Sequence, residues 1–213
     1  MKDIAIYGAG GYGREVACLI NAINGVKKGW NLVGFFDDGL PIGHKNEYGE
    51  VLGGLNELND YQKLLSVVMA IADSQILVKI IRKIFNKNID FPNIIAPDFI
   101  LADKDSFQIG IGNIIGFRCS MSCNVKVGNF NRLNYDVTLG HDDLIGNYNM
   151  FNPSTRISGE VTMGDCNFIG VGGIILQQVK VGNNVTIAAN SVIIRKTKDN
   201  TTYIGNPATV FKY

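Results

Sequence analysis

From Ile109 onward an apolar residue returns at every sixth position: Ile109, Ile115, Met121, Val127, Leu133, Leu139, Ile145, Phe151, Ile157, Met163, Ile169, Ile175, Val181, Ile187 and Ile193. The run of fifteen is unbroken. In a chain that is 46% apolar, chance gives such a run about once in a hundred thousand registers. An ordinary β-sandwich has no reason to hold one register that long, whereas a parallel β-helix requires it. Each hexapeptide then makes one side of a triangular coil, with its apolar residue pointing inward. Glycine follows that residue at 110, 116, 128, 140, 146, 164, 170 and 182. Four residues after it the side chains are often small or branched, as at Cys119, Val125, Val137, Thr155, Val161, Gly173, Val179, Val185 and Ser191. These small residues are expected to turn the corners. Three hexapeptides close a coil that rises by one inter-strand spacing, ~4.8 Å, so the run predicts five coils and a prism roughly 24 Å tall.

Stacking by eighteen residues turns the sequence into a map of neighbours. His141 lies two residues beyond the inward Leu139, which places it outside, near a corner. Cys123 falls one coil below it, Gly159 one coil above, then Gln177 and Arg195. A second column runs Pro153, Val171, Ala189. A glycine stacked on an imidazole leaves room for a ligand and presents bare backbone N–H. Asp142 follows His141 at once, and Asp143 follows that. A carboxylate beside an imidazole raises its basicity. Acyl transfer from a thioester needs a base for the acceptor's proton and donors for the developing oxyanion. His141 and Gly159 suit those two roles. A solvated surface histidine is the plainer reading of the same spacing. Cys123 beside His141 would also permit a covalent acyl intermediate, although direct attack by the acceptor needs none. Arg195, Lys196 and Lys198 are candidates for phosphate contacts or for a solvated rim, Cys119 should pack inside the prism, and His44 reads as a surface residue.

The first 97 residues have another rhythm. Ile4–Tyr7 reads as a buried strand, Gly8 to Gly13 as a turn, and Arg14–Ile23 as a helix with Val16, Leu19, Ile20 and Ile23 on one face. Leu32–Phe36 and Val67–Ala72 read as further strands, and Ile76, Leu77, Ile80, Ile81 and Ile84 as a second helix face. This βαβ pattern implies a small parallel, Rossmann-like sheet. Gly8, Gly10 and Gly13 fit G-x-G-x-x-G between strand and helix, where backbone N–H groups and a helix N-terminus meet a phosphate. Asp37 closes the second strand, where a dinucleotide fold would use it on a ribose. A unit this short leaves no second mononucleotide half, which argues against NAD. The competing reading is that the glycines serve only the strand–helix turn.

The formal charge of +1 gives no reason to expect nucleic acid or an anionic membrane as a partner. The four cysteines match no zinc or redox spacing and suit a reducing compartment. The N-terminus does not read as a secretory leader, and no stretch approaches the ~20 apolar residues that span a bilayer. A cytoplasmic protein without a metal is the expectation.

Several segments together resemble a known family. They are Ile6-Tyr7-Gly8-Ala9-Gly10-Gly11-Tyr12-Gly13-Arg14-Glu15, Gly34-Phe35-Phe36-Asp37-Asp38, Phe91-Pro92-Asn93-Ile94-Ile95, Gly140-His141-Asp142 and Gly205-Asn206-Pro207-Ala208. In this order they are similar to the sugar acetyltransferases related to sialic acid O-acetyltransferase and UDP-4-amino-sugar N-acetyltransferase, over nearly the whole chain. The resemblance implies a left-handed β-helix that assembles as a homotrimer, with acetyl-CoA as co-substrate in the groove between neighbouring subunits. It implies His141 as general base and Asp142, where many members have Glu, as the acid that enhances its basicity. It puts Gly159, Val171 and Ala189 along the pantetheine arm. Met150 stands at the acetyl-CoA contact that many members fill with histidine. It also implies a nucleotide-sugar site from Gly10, Gly11, Tyr12, Gly13, Asp37, Asp38, Ile71 and Ala72, the last replacing a usual Gly. The expected organisation is a nucleotide-sugar-binding domain at 1–97 and an acyltransferase β-helix with its tail at 98–213. The leading expectation is N-acetylation of a nucleotide-linked amino sugar. O-acetylation of sialic acid or a related sugar keeps the same chemistry, and a non-catalytic nucleotide-sugar-binding scaffold is the reading from another class.

Overall fold

The computed structural model describes residues 1–211, and the chain divides into two compact units, Met1–Pro97 and Asp98–Tyr213. The first contains β1 (Lys2–Tyr7), α1 (Gly11–Val26), β2 (Trp30–Phe36), β3 (Lys45–Asn46), β4 (Gly49–Gly53), α2 (Leu55–Asn59), β5 (Leu65–Met69), α3 (Ser74–Ile81) and β6 (Ile89–Asp90). Its sheet runs β3-β4-β2-β1-β5-β6. Only β3 and β4 pair antiparallel. The central β1 must be apolar on both faces because a parallel strand is covered on both sides, and Ile4, Ala5 and Ile6 are fully buried. Helix α1 buries Val16, Ala17, Leu19 and Ile20 as its periodicity requires, while Ile23 is half-buried. The third strand expected to Ala72 stops at Met69. Asp73 already serves as N-cap of α3, its side chain accepting from Ile76 N–H at 2.9 Å, so the chain must leave the sheet before it. Ile84 falls beyond the end of α3. The β3–β4 hairpin and β6 are too short for a periodicity argument to find.

The second unit is a parallel β-helix. One ladder pairs Met121, Leu139, Ile157, Ile175 and Ile193 at intervals of eighteen. A second pairs Val127, Ile145, Met163 and Val181. The third pairs Ile115, Leu133, Phe151, Ile169 and Ile187. The inward stack is dry: Leu133, Phe151, Ile169, Ile175 and Ile187 are 0% exposed. Coiling begins before Ile109, because Ile100–Leu101 already pair with Ser120–Met121. That offset is twenty rather than eighteen, and the two extra residues hide the first turn from a strict six-residue count. At the other end Thr202–Gly205 joins the third ladder at an offset of sixteen, and Ala208–Phe211 folds back on it antiparallel.

The corners are built differently from the expectation. Positions 112, 118, 124 and onward by six to 190 all have φ between 54° and 69°. The corner is therefore turned three residues after each inward residue, by left-handed backbone, and only Gly112 and Gly172 among these are glycine. Such a φ costs a non-glycine residue ~1 kcal/mol or more, and here the flanking ladders hold it. The next residue, expected to make the turn, instead points into the prism. Cys119, Val125, Val137, Asp143, Thr155 and Val161 are 0% exposed. At one edge this inner position is a column of Asn113, Asn131, Asn149 and Asn167. Each Oδ1 accepts the N–H of the residue eighteen on, at 2.7–2.9 Å.

Candidate active site

His141 sits at the corner between the first and second ladders, and the stacking foreseen around it is present. Asp142 N–H donates to the Cys123 carbonyl one coil below at 3.0 Å. Glu160 N–H donates to the His141 carbonyl at 2.7 Å, and Gln178 N–H to that of Gly159 at 3.0 Å. Gly159 is buried, with the imidazole lying over it. A Cβ built on Gly159 would stand 2.6 Å from His141 Cε1 and 2.7 Å from Cδ2, with Nε2 nearer still. Glycine is therefore required here by the ring, not by backbone torsion. Gly159 N–H donates to no group among the described residues. The corner thus offers a base and a bare donor side by side.

The imidazole is oriented by its neighbour. His141 Nδ1 lies 2.8 Å from Asp142 Oδ2. An ionised carboxylate can only accept, so Nδ1 carries the proton and Nε2, the atom nearest Gly159, keeps its lone pair. Asp142 is itself a corner residue, with φ of 59°. Its turned backbone brings the short carboxylate back to the ring. The other oxygen, Oδ1, accepts from Asn124 Nδ2 at 3.0 Å. The Asp142 hydrogen bond raises the His141 pKa, with Glu160 and Asp143 adding to it, and lowers that of Asp142, helped by Asn124. Both side chains are about half exposed, at 48%, so solvent reaches the pair. Asp143 turns the other way, into the prism. Its Oδ2 accepts Gly140 N–H at 2.8 Å and its Oδ1 accepts Val161 N–H at 2.9 Å. Sequence reasoning named Asp143 only as a neighbour. The clue was its register, four residues after Leu139.

Other residues expected in the site lie elsewhere on the prism. Val171 and Ala189 occupy the corner between the third and first ladders, where Gly172 N–H bonds the Pro153 carbonyl and Asn190 N–H that of Val171. Both are exposed. Met150 lies in the third ladder, 4% exposed. One chain therefore does not bring Met150, Val171 or Ala189 to His141. Cys123 is partly exposed below the ring. Cys119 is buried, its thiol pushed up to about 11 by burial.

In the first unit the six-residue turn divides sharply. A Cβ at Gly8 would stand 2.7 Å from the Ala70 carbonyl oxygen, and one at Gly13 would strike the carbonyl of Gly8. These two glycines serve strand–helix packing. Gly10 and Gly11 have nothing within 4 Å of a Cβ and are exposed. Helix α1 starts there with no side-chain cap and no acid in its first turn, which leaves a partly positive helix end. Asp37 and Asp38 brace the loops around it. Asp37 accepts Ala9 N–H and Gly39 N–H, both at 2.8 Å. Asp38 accepts Tyr7 Oη–H at 2.6 Å and Leu55 N–H at 2.8 Å. Burial, then Asp38, holds the Tyr7 hydroxyl well above its ordinary pKa. Ile71 and Ala72 follow β5 at the same sheet edge, Ala72 exposed. Among the described residues no group of His, Cys, Asp and Glu is arranged to hold a metal, and no helix is long and apolar enough to cross a membrane.

Residues 3–84 match the family model of the PglD N-terminal domain. No curated protein matches the chain in sequence. Among solved structures, the acetyltransferase domain of PglB from Neisseria gonorrhoeae FA1090 is 27% identical with a TM-score of 0.88, over 99% of this chain and 100% of that one. The same domain is known in complex with acetyl coenzyme A, at 27% identity and a TM-score of 0.87, over 99% of each chain. WeeI from Acinetobacter baumannii AYE is 25% identical with a TM-score of 0.89, over 99% of this chain and 100% of that one. The likeness in both cases spans the two units. With the β-helix corner described above, these likenesses identify the chain as a hexapeptide-repeat acyltransferase with a PglD-like N-terminal domain.

Proposed function

We propose that this chain transfers an acetyl group from acetyl-CoA to the amino group of a nucleotide-linked amino sugar, with His141 as general base. The observation that carries this reading is the corner itself: an imidazole fixed by Asp142 at 2.8 Å, with Nε2 turned to a glycine that has no room for a Cβ. His141 Nε2 takes the proton as the sugar nitrogen attacks the thioester carbonyl. Gly159 N–H, which donates to no group among the described residues, is the proposed donor to the oxyanion that forms. The adduct then collapses to the amide as its C–S bond breaks, CoA leaves as the thiolate and takes the proton from His141, and the direct transfer needs no covalent acyl-enzyme. A positioned base contributes roughly 10²–10⁴ in rate and one oxyanion donor roughly 10²–10³. The structure of the PglB domain with acetyl coenzyme A supports the choice of donor.

The first unit is the candidate holder of the nucleotide. Gly10 and Gly11 are free of steric demand from the protein, at the uncapped start of a 16-residue helix. That is the arrangement a diphosphate approaches. Tyr12, Gly13, Asp37, Asp38, Ile71 and Ala72 complete the proposed site. Asp37 and Asp38 act chiefly by holding the loops in place, since each of their oxygens already accepts a hydrogen bond. We propose a homotrimer, the assembly that the family resemblance implies. His141 and Gly159 lie on one edge and Val171 and Ala189 on another, and the separation of the two sets of residues is consistent with a site shared between protomers. Met150, 4% exposed, offers neither a hydrogen-bond donor nor an open surface for a CoA contact. A reducing, cytoplasmic setting fits the four free cysteines. The test is a panel of UDP-, GDP- and dTDP-linked amino sugars, with free sialic acid beside them, scored by acetyl-CoA-dependent thiol release and by product mass. Gain of one acetyl group on an amino-sugar nucleotide supports the reading. Acetylation of sialic acid alone would move the acceptor to a hydroxyl, and no turnover with any acceptor would leave a binding scaffold.

A further inference from the structure

Asp143 is an anomaly in its own column. The inner positions stacked below and above it are Val125 and Val161, both 0% exposed, and Asp143 is equally buried. A valine would fill that space without desolvating a charge, so the carboxylate costs stability. What it does instead is grip backbone. Ser122, Ser158 and Leu176 hold the position of Gly140 in neighbouring coils. Each donates its N–H to the carbonyl one coil above, at 2.9–3.1 Å. Gly140 N–H donates to Asp143 Oδ2. Asp143 Oδ1 takes Val161 N–H from the next coil. The two gripped residues flank the site, since Gly140 immediately precedes His141 and Val161 follows Gly159 by two.

We propose that Asp143 is a positioning residue for acyl transfer: its buried carboxylate braces Gly140 and Val161, and so sets where the His141 imidazole stands against Gly159. This rests on the base role proposed for His141. The brace needs the ionised form, because a protonated carboxyl keeps fewer acceptor sites and gives up one N–H. Burial pushes the Asp143 carboxyl up to about 7, against the two N–H bonds that favour its charge. The charged groups acting on it are His141, which favours the carboxylate, and Asp142, which opposes it. Val125 and Val161 bring no charge, and Glu160 acts on the ring of His141. The acid limb of turnover then contains two ionisations, His141 and Asp143, rather than one.

The test uses the full chain and the variants Asp143→Val, Asp143→Asn and His141→Ala. The chain has only two histidines, His44 and His141, so NMR can follow each ring without any acceptor. In Asp143→Val the His141 titration moves to lower pH, because the carboxylate that helps to raise it is gone. An unmoved His141 titration overturns the proposal whatever the activity. Turnover is then read with acetyl-CoA and a UDP-linked 4-amino sugar. Asp143→Val loses about tenfold to a hundredfold in kcat, with KM for acetyl-CoA little changed and Tm at or above wild type. Asp143→Asn falls between, because an amide keeps an acceptor for Val161 N–H but not both bonds. Wild-type kcat in Asp143→Val, or a kcat loss matched by a fall in Tm, also overturns the proposal. Full activity in His141→Ala removes the base role instead, and so separates that failure from this one.

Discussion

Substituting alanine for Gly159 adds one methyl group at the place where the site is tightest. A Cβ there would stand 2.6 Å from His141 Cε1 and 2.7 Å from Cδ2. Ordinary carbon contacts lie near 3.5–4.0 Å, so the ring must retreat by about 1 Å. It can, because the side chain is 48% exposed on its outer side. Folding should hardly notice: Gly159 is not among the residues with left-handed backbone, and the three atoms nearest the new methyl all belong to the half-exposed His141 ring, which can move aside. Catalysis should notice sharply, since a 1 Å misplacement of a reacting group costs roughly a hundredfold. Gly159→Ala is therefore expected to lose about a hundredfold in kcat, read by thiol release, with Tm within about 2 °C of wild type. Turnover within threefold of wild type would show that the imidazole does not work from this slot.

Asp142→Asn removes the partner that raises the His141 pKa. A base works deprotonated, so activity climbs as pH rises through that value. The acid limb should move to lower pH while the plateau drops about tenfold, seen in a pH–kcat profile. Gly10→Ala and Gly13→Ala should separate binding from folding. Gly13→Ala pushes a Cβ onto the Gly8 carbonyl and lowers Tm. Gly10→Ala meets no protein atom within 4 Å, so it leaves Tm unchanged and weakens the nucleotide sugar in a binding titration.

The β-helix was legible because each coil repeats one constraint, an apolar side chain facing a dry axis, and that constraint recurs in the sequence at a fixed interval. What the repeat could not reveal was the corner. Left-handed backbone is carried here by Arg118, Phe130, Tyr148 and Gln178 as readily as by glycine, because parallel ladders on both sides impose it. A residue-type signal therefore hardly exists. The same blindness hid Asp143, which composition assigns to the surface and register assigns to the core. That His141 and Gly159 stack one coil apart was readable by arithmetic, since eighteen residues make one coil. That arithmetic also placed Val171 and Ala189 on a separate column, which the structure shows as a different edge. In the first unit the glycine pattern marked the turn but not its division of labour. Only packing distinguishes Gly8 and Gly13, held by the carbonyls of Ala70 and Gly8, from Gly10 and Gly11, which face open space. Asp37 was legible as a strand-end acid, yet its bond to Ala9 N–H depends on a contact between segments far apart in sequence.

The base role of His141 is tested most directly by the turnover of His141→Ala, measured beside its affinity for acetyl-CoA. Loss of the base should reduce kcat by about 10²–10⁴, while calorimetry finds the acetyl-CoA Kd within a few-fold of wild type. Near-normal turnover in that variant would contradict the account.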